Sequence, residues 1–548
     1  MKNNHESVRQ LTGGDALVES LKVHGVDTVF ALPGAQIYGL TDALARNSAS
    51  IRTLGARHEQ TSAYMAFGYA RSSGRPGVFT VVPGPGILNA SAAMLTAHGC
   101  NTPVLALTGD VMSSFKDRGR GQLHELPRQL DILQGIGKWA AHIEQPADAP
   151  WQVARAIQTM QSGRPGVVSL QASWDFFTRT SEVALQPPFA LQPPPPVDSD
   201  AVQEAAKLLS SAVNPMIFVG SGALEASAEV TQLAETLGAP VVSFRGGRGV
   251  VADDHPLGFT VAGGARLWPQ TDVAVVIGSR FELLDIRWRH RPAGLKLIRI
   301  DIDPAEVRRI PCDVNLLADA AQASQALTQA VLRVGPPRHR TAEIADAKAT
   351  AEHQIQTVQP QLDYLKVIRN VLPRDGFFVE EISQVGFTSI FGFPVYLPRT
   401  LVTSGHQGTL GFGFPTALGV KAAHPDKAVV SICGDGGFMF AAQELSTAVQ
   451  YRLNLVTIVF NNNAFGNVYR DQQESFAGRL LGSELVNPDF VKFAESFGVQ
   501  AHRVNTPAEL QPVLERAFAA DRPVLIEVCV PRGSDSSPWK FLHPSFAH

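Results

Sequence analysis

Residues 428–437 read AVVSICGDGG, a run of apolar and β-branched residues that ends in a glycine-rich turn. A run that is apolar on both faces is typical of a strand inside a parallel sheet that helices cover. A helix-like stretch, Ala441–Gln450, follows. Glycines between a strand and a helix let main-chain N–H groups close on a phosphate. The stretch therefore predicts an α/β fold with a phosphate site at the end of this strand.

The carboxylate of Asp435 belongs to the same turn. It would repel a bare phosphate, but it could hold a hard cation that bridges to the phosphate. A second predicted strand, Leu455–Phe460, ends in Asn461-Asn462-Asn463, whose oxygens are ligands that magnesium accepts. About one strand–helix–strand unit separates Asp435 from Asn462, so both are expected at the carboxyl ends of neighbouring parallel strands. Taken singly, each segment is more typical of an ordinary turn after a buried strand.

Short strands alternate with longer amphipathic stretches along the whole chain, which predicts parallel sheets covered by helices. Further strands are predicted at Val167–Leu170, Pro215–Val219, Val273–Ile277 and Leu297–Ile302. Two proline-rich segments are typical of linkers: 186–197, and 335–340 with the polar stretch that continues to about Gln361. The sequence thus predicts three doubly wound parallel-sheet domains. Their predicted bounds are 1–185, 198–335 and 361–548.

Composition excludes several classes of protein. The 548 residues include 47 Lys and Arg against 50 Asp and Glu, a formal net charge of -3, which argues against a nucleic-acid binder. No apolar run approaches the roughly 18 residues of a membrane helix. The start, MKNNHESVRQ, lacks the apolar region of a secretory signal. The four cysteines form no CxxC pair, so neither a zinc site nor a disulfide framework is predicted, and a reducing cytoplasm is expected.

The GDG turn followed by the NN pair resembles the cofactor signature of enzymes that depend on thiamine diphosphate. The resemblance implies a magnesium ion held by Asp435, by the side chain of Asn462 and by the carbonyl of Ala464. It also implies further cofactor contacts in the third domain. These fall on Gln384, Gly434, Gly436, Gly437, Phe465 and Gly466. On local grounds alone, Gln384 is more typical of an exposed turn.

The first domain carries a second matching segment. Arg57-His58-Glu59-Gln60 followed by 66–71, AFGYAR, resembles the family's HEQ…GYAR pattern. The resemblance implies that the carboxyl group of Glu59 shares a proton with the aminopyrimidine ring and so promotes formation of the cofactor's nucleophile, the ylid. Without this resemblance, His58-Glu59 is typical of a solvated helix start.

Three more segments resemble the family: 33–36 (PGAQ), 82–89 (VPGPGILN) and 404–413 (SGHQGTLGFG). The implied cofactor contacts are Gly34, Asn89, the carbonyl of Gly408, and Leu410 as the apolar wedge that bends the cofactor. The implied substrate contacts are Ala35, Gln36, Val82, Phe465, Val468 and Tyr469. A tight turn, a plain loop and a core leucine are the alternative interpretations of these segments.

Within that family the chain is most similar to the acetolactate synthase and benzoylformate decarboxylase group. The group implies a homodimer or homotetramer in which each cleft takes the residue matching Glu59 from one chain and that matching Asp435 from another. Asp471 stands where acetolactate synthases have a tryptophan, and 261–266 (VAGGAR) replaces their GMHG flavin segment. Val82 stands about where the decarboxylases have a histidine. Acetolactate synthase activity and flavin binding therefore stay open.

His124 and His406 are the candidate acid–base residues, and an exposed or satisfied histidine is the alternative for each. The middle domain holds a lone Gly220-Ser221-Gly222, a weak dinucleotide signal. It also has a basic cluster that could grasp the phosphates of coenzyme A or a nucleotide, unless it is a solvated face. Its members are Arg280, Arg287, Arg289, His290 and Arg291.

The resemblance implies a decarboxylase or carboligase, dependent on thiamine diphosphate and magnesium, that acts on a small 2-oxo acid. An aldehyde or a second 2-oxo acid is the candidate acceptor. Two alternatives stay open. One is a catalytically silent regulatory or scaffold relative, and the other is an acyl-CoA-type lyase that uses the basic middle domain.

Overall fold

Three six-stranded sheets, each entirely parallel, carry the fold. The computed structural model describes residues 8–288 and 290–545. Helices cover the sheets, and the strands that lie between them are buried along most of their length. This is the doubly wound α/β architecture that the alternation of strands and helices predicts, so the fold class is confirmed.

The first sheet has the strand order β3-β2-β4-β5-β7-β6, and a separate antiparallel pair joins β1 to β8. The strands are β1 (Arg9–Thr12), β2 (Thr28–Ala31), β3 (Arg52–Gly55), β4 (Gly77–Val81), β5 (Val104–Asp110), β6 (Trp139–Ile143), β7 (Val168–Ser173) and β8 (Thr180–Val183). The helices are α1 (Gly13–Val23), α2 (Tyr38–Arg46), α3 (Glu59–Ser73), α4 (Pro85–Gly99), α5 (Gln129–Ile136) and α6 (Ala149–Gln161).

The second sheet has the order β11-β10-β9-β12-β13-β14, with its topological switch point between β9 and β12. The strands are β9 (Pro215–Val219), β10 (Val241–Ser243), β11 (Gly258–Thr260), β12 (Val273–Ile277), β13 (Lys296–Asp301) and β14 (Val314–Leu317). The helices are α7 (Ser199–Ser210), α8 (Ser227–Leu237), α9 (Val261–Leu267), α10 (Pro304–Val307) and α11 (Ala320–Val334).

The third sheet has the order β16-β15-β17-β18-β20-β19. The strands are β15 (Phe377–Val379), β16 (Leu401–Val402), β17 (Val429–Gly434), β18 (Val456–Asn461), β19 (Gln500–Val504) and β20 (Val524–Cys529). The helices are α12 (Thr341–Ile355), α13 (Gln361–Val371), α14 (Gln384–Gly392), α15 (Gly413–Ala423), α16 (Asp435–Phe438), α17 (Leu445–Gln450), α18 (Gly466–Ser475), α19 (Phe490–Ser496), α20 (Pro507–Ala519) and α21 (Trp539–Leu542).

The two predicted linkers have different structures. Residues 184–197 contain no helix or strand, and four successive prolines disfavour both. The polar stretch after Arg340 is instead the helix α12, so its prediction as linker was wrong. Ile344, Ala347, Ala351 and Ile355 of α12 are buried. Their spacing is that of one helix face, which carries the stability of an otherwise polar segment.

The chain forms two compact units. One contains the residues up to Pro193 together with 404–426 and 439–454, and the other contains 194–403, 427–438 and the residues from Leu455 onward. In the first unit, α15 lies directly against α3. A Cβ on Gly419 would lie 2.0 Å from the carbonyl oxygen of Met65, so only glycine allows this approach of the two helices. The domain bounds stated above stay predictions.

None of the described helices combines the length and the apolar composition that crossing a membrane requires.

Candidate active site

The GDGG turn lies at the carboxyl end of β17, and the NN pair lies at the end of its neighbour β18. Asp435 is only 2% exposed. Its Oδ2 accepts the main-chain N–H of Ala464 at 3.2 Å, and Oδ1 of Asn462 accepts the same N–H at 3.1 Å. Two side-chain oxygens thus converge on one point, beside the residue whose carbonyl the resemblance names as the third ligand.

Asn487 also reaches this point. Its Nδ2 donates to Oδ2 of Asp435 at 2.7 Å and to Oδ1 of Asn461 at 3.1 Å. Sequence reasoning missed this residue, because it lies between α18 and α19, far along the chain from both strands. Its amide holds the carboxylate and the asparagine loop together.

Burial raises the pKa of Asp435 above its usual value of 3.8, because a carboxylate loses hydration there. The hydrogen bonds from Asn487 and from nearby main-chain N–H groups lower the pKa but do not offset burial. An added divalent cation would compensate the desolvated charge, so the electrostatics of the turn favour a cation ligand.

Close packing explains the glycines of the turn. A Cβ on Gly436 would lie 2.4 Å from the ring of Phe465, and one on Gly437 would lie 3.1 Å from Cδ of Glu381. A Cβ on Gly466 would lie 2.9 Å from Nδ2 of Asn462. Side chains at these positions would displace the asparagine loop and Phe465. Gly434, the last residue of β17, lies beside Ser383.

Gln384 is buried at the first turn of α14, with 8% of its surface exposed, so the interpretation as an exposed turn was wrong. Its Oε1 accepts a hydrogen bond from Arg470 at 2.8 Å, and Arg470 is ion-paired with Asp535 at 2.6 Å. Within residues 8–288 and 290–545, Nε2 of Gln384 is a buried donor without a hydrogen-bond partner. An unpaired buried N–H costs free energy, and an anionic oxygen would satisfy it.

These observations fit a magnesium ion and a diphosphate. Oxygens of Asp435, Asn462 and Ala464 are available for the cation, and Nε2 of Gln384 is available for a phosphate oxygen. In the described part of the chain there is no metal-binding group of three or more His, Cys, Asp or Glu side chains. The candidate site differs from such groups because it uses one carboxylate, one amide and one carbonyl.

Arg532 fastens the C-terminal segment to the asparagine loop. Its guanidinium donates to the carbonyl of Asn463 at 2.7 Å and lies 5.5 Å from the ring centroid of Tyr469. Tyr469 and Val468 follow Phe465 on α18, and Val468 is exposed. The three residues with predicted substrate roles in this unit therefore lie on and just before one short helix.

In the other compact unit, Glu59 is the first residue of α3. Nδ1 of His58 caps the helix by accepting the N–H of Gln60 at 3.2 Å. Oε2 of Glu59 accepts a hydrogen bond from Nδ2 of Asn89 at 3.0 Å, and Oε1 lies beside Gly86. Asn89 therefore fixes one carboxyl oxygen and leaves the other to exchange a proton.

A buried acid holds the chain just before Glu59. The N–H of Arg57 donates to both carboxyl oxygens of Glu444, at 3.0 and 3.1 Å. Burial raises the pKa of Glu444, and hydrogen bonds from Thr447 and Arg57 lower it. Glu444 lies in the segment 439–454, which explains how that distant segment orients the start of α3.

The PGAQ and VPGPG loops pack together at the amino end of α4. A Cβ on Gly34 would lie 2.3 Å from Cγ1 of Val82. Next to Ala35, the side chain of Gln36 is fully buried, and its Oε1 lies 3.0 Å from Nδ1 of His124. The structure therefore brings together four residues whose substrate or acid–base roles were predicted separately.

The segment 404–413 packs along α4 instead. Oγ1 of Thr409 lies 3.0 Å from Oγ1 of Thr96, and His406 contacts Gly99 at the carboxyl end of the helix. Gly408 has a left-handed conformation with φ of 56°, and Leu410 is half-buried rather than a core residue. Since α4 has 15 residues, at about 1.5 Å per residue, His406 and His124 lie at opposite ends of it.

A buried polar network supports the VPGPG loop. The N–H of Gly84 donates to Oε1 of Gln129 at 2.9 Å, and Nε2 of Gln129 donates to Oε1 of Gln171 at 3.0 Å. Nε2 of Gln171 then donates to Asp110 at 3.1 Å and to Nδ1 of His142 at 3.2 Å. Sequence reasoning missed these residues, since they come from four separate segments.

His142 should make the chain sensitive to acid. Burial lowers its pKa to about 4, below the usual 6.5, so its neutral form contributes stability above pH 6.5 that is lost as the pH falls towards 4. His142→Gln keeps an acceptor for Gln171 and removes the titration. We expect the variant to lose less thermal stability than the native chain between pH 6.5 and 4, measured by unfolding monitored with circular dichroism. Equal losses would contradict the assignment.

Two arginines of the basic cluster in the middle domain lie beside acids. Arg280 lies 3.7 Å from Glu306, and Arg287 lies 3.0 Å from Glu282. Arg289 lies outside the described residues. The VAGGAR segment forms α9 and is closely packed, since a Cβ on Gly264 would lie 2.5 Å from Val242. Carboxylates therefore compete with any phosphate for these two arginines.

Sequence comparison identifies the family. The thiamine pyrophosphate enzyme N-terminal TPP binding domain matches residues 11–132, the central domain matches 202–327, and the C-terminal TPP binding domain matches 382–528. The chain belongs to the thiamine pyrophosphate enzyme family. The prediction of an enzyme dependent on thiamine diphosphate is therefore confirmed.

Several curated members of the thiamine pyrophosphate enzyme family align with almost the whole chain. A probable 2-ketoarginine decarboxylase of Pseudomonas aeruginosa is 32% identical over 95% of this chain and 94% of its own length. A probable acetolactate synthase large subunit of Methanocaldococcus jannaschii is 31% identical, with 95% and 92% covered. The acetolactate synthase isozyme 1 large subunit of Escherichia coli is 30% identical, with 95% and 94% covered. The likeness to the acetolactate synthase group is confirmed.

Proposed function

We propose that the protein is a decarboxylase or carboligase that uses thiamine diphosphate and magnesium and acts on small 2-oxo acids. One observation carries the proposal: Asp435 and Asn462 converge on the N–H of Ala464, in the unit that also holds Gln384, whose Nε2 has no hydrogen-bond partner among the described residues. We also propose that the site residues named from the sequence bind the cofactor or the substrate. The protein is proposed to be a homodimer or homotetramer and to be located in the cytoplasm.

Thiamine diphosphate, when bound, supplies the carbon nucleophile and the electron sink that a 2-oxo acid needs to lose carbon dioxide. Asp435, Asn462 and Ala464 would hold the magnesium ion, and Gln384 would bind a phosphate oxygen. Glu59 would hold and release a proton at Oε1, because Asn89 engages Oε2. Leu410 would provide an apolar contact for the cofactor.

At the substrate end, His124 is the proposed acid–base residue, since it adjoins Gln36 and the VPGPG loop. The other proposed substrate contacts in the two units are apolar or neutral, namely Ala35, Val82, Phe465, Val468 and Tyr469. Because few acids line this set, we propose that attack on a second carbonyl compound competes with protonation of the product.

Product analysis tests this proposal. The full chain with thiamine diphosphate and magnesium is incubated with pyruvate, benzoylformate or 2-ketoarginine, each with and without benzaldehyde. Release of carbon dioxide is measured directly, and the other products are separated by chiral chromatography. We expect chiral hydroxyketones in amounts comparable to the free aldehyde. Free aldehyde as the sole product would show that the protein is a simple decarboxylase and would contradict the proposed carboligation. Absence of carbon dioxide from every acid would favour a silent scaffold relative.

A further inference from the structure

The amide of Gln36 has a defined orientation. Its side chain is fully buried, and Nε2 donates to the carbonyl of Leu123 at 2.7 Å. A carbonyl only accepts, so the nitrogen of the amide must lie on that side. Oε1 is consequently the atom that lies 3.0 Å from Nδ1 of His124.

This orientation determines where neutral His124 carries its proton. Oε1 of Gln36 has lone pairs and no hydrogen, so Nδ1 of His124 must be the donor of the 3.0 Å hydrogen bond. A neutral imidazole has one N–H, and the opposite nitrogen, Nε2, is then an acceptor. Nε2 is therefore the atom that is ready to take a proton.

The main chain of His124 is held independently of its ring. His124 has a left-handed conformation with φ of 59°, and its carbonyl oxygen would lie 2.4 Å from a Cβ on Gly84. Gly84 is itself left-handed, with φ of 60°, and its N–H is bound by the buried Gln129. Ring and main chain are thus restrained by two different glutamines, both nearly without solvent exposure.

We propose that Gln36 is a positioning residue: it keeps the proton of neutral His124 on Nδ1 and leaves Nε2 to exchange a proton with the substrate. This inference rests on the proposed function for its consequence in catalysis. The hydrogen-bond geometry itself does not depend on that function, so the two can fail separately.

The electrostatic surroundings make the effect of Gln36 measurable. Segment 33–37 (PGAQI), whose Gln36 contacts the ring, and segment 82–86 (VPGPG), whose Gly84 lies against the main chain of His124, carry no ionisable side chain. Glu125, the next residue in the chain, accepts the N–H of Gln122 through its carboxylate, and Glu59 lies beside Gly86 of the second segment. A charge introduced at position 36 would act on His124 directly.

Diethyl pyrocarbonate provides the test, because it acylates an unprotonated imidazole nitrogen. Trypsin releases 121–128, GQLHELPR, in which His124 is the single histidine, and 58–71 provides His58 as an internal reference. The modification rate of both peptides is measured against pH by mass spectrometry for the full-length native chain, Gln36→Met and Gln36→Glu. Methionine preserves the length of the side chain and removes both the acceptor for His124 and the donor to the carbonyl of Leu123.

We expect the midpoint pH of modification at His124 to be highest in Gln36→Glu, intermediate in the native chain and lowest in Gln36→Met. Glu should raise the midpoint, since a carboxylate stabilises the imidazolium, and Met should lower it, since it removes the acceptor of the hydrogen bond from Nδ1. His58 should not change. Equal midpoints at His124 in all three proteins would overturn the positioning role, as would a shift of the same size at His58.

Kinetics then separate this inference from the proposed function. Gln36→Met should lower kcat for a 2-oxo acid more than it raises KM. Gln36→Glu should shift the pH dependence of kcat in the same direction as it shifts the midpoint pH of modification at His124. If the modification order holds but no 2-oxo acid is decarboxylated, the positioning role stands and the proposed function fails. If a 2-oxo acid is decarboxylated but the modification midpoints do not change, the proposed function stands and the positioning role fails.

Discussion

Asp435→Ala should abolish binding of magnesium and thiamine diphosphate. The variant removes the carboxylate that lies 3.2 Å from the N–H of Ala464 and 2.7 Å from the amide of Asn487. Without it the diphosphate would lack the cation that neutralises its charge. At a concentration 100 times its dissociation constant, a ligand adds about 2.7 kcal/mol to the folded state. That increment, and all turnover, should be lost.

Thermal unfolding with and without cofactor and magnesium measures this loss, and calorimetric titration gives the affinity. Asp426→Ala is the matched control, because Asp426 is exposed and the same charge is removed. Asn462→Ala should behave like Asp435→Ala. Full activity of Asp435→Ala at limiting magnesium would refute the assignment of the metal site.

Glu59→Gln should leave folding and cofactor affinity nearly unchanged but slow activation of the cofactor. Glutamine keeps the shape of the side chain and an acceptor for Asn89, which donates at 3.0 Å, but it has no titratable proton. Removal of a general acid–base group typically costs about 10²–10⁴-fold in rate. Exchange of deuterium into the thiazolium carbon of the bound cofactor measures this step directly.

Glu182→Gln is the matched control for this experiment, since Glu182 is exposed on β8. An exchange rate in Glu59→Gln equal to that of the control would exclude Glu59 from the activation step. Loss of cofactor binding in Glu59→Gln would instead indicate a role in affinity.

The candidate metal site could be predicted from the sequence because its parts are local. The GDGG turn and the NN pair each end a buried strand, and neighbouring parallel strands bring their carboxyl ends together. Gln384 also lies after a strand, yet its burial was not predicted. Its surroundings depend on Arg470 of α18, which the sequence places 86 residues away.

The interpretation of the two histidines also depended on long-range contacts. From the sequence, His124 and His406 were both acid–base candidates, and His406 was slightly favoured because the segment around it resembles the family. The structure places His124 against Gln36 and the VPGPG loop, whereas His406 lies at the other end of α4. The elements packed against the segments of His124 and His406 set the backbone conformation of each segment. A short sequence pattern does not contain this information.

The sequence by itself determined the α/β class, the three parallel sheets and the family, since strand–helix alternation and short glycine and asparagine motifs act over a few residues. Only the tertiary structure decided that Asn487 joins Asp435 to the asparagine loop, that Glu444 holds the start of α3, and that Gln36 lies against Nδ1 of His124. The contacts involved span 52, 387 and 88 residues. They form because packing of whole elements brings distant groups together, and buried polar groups then require partners.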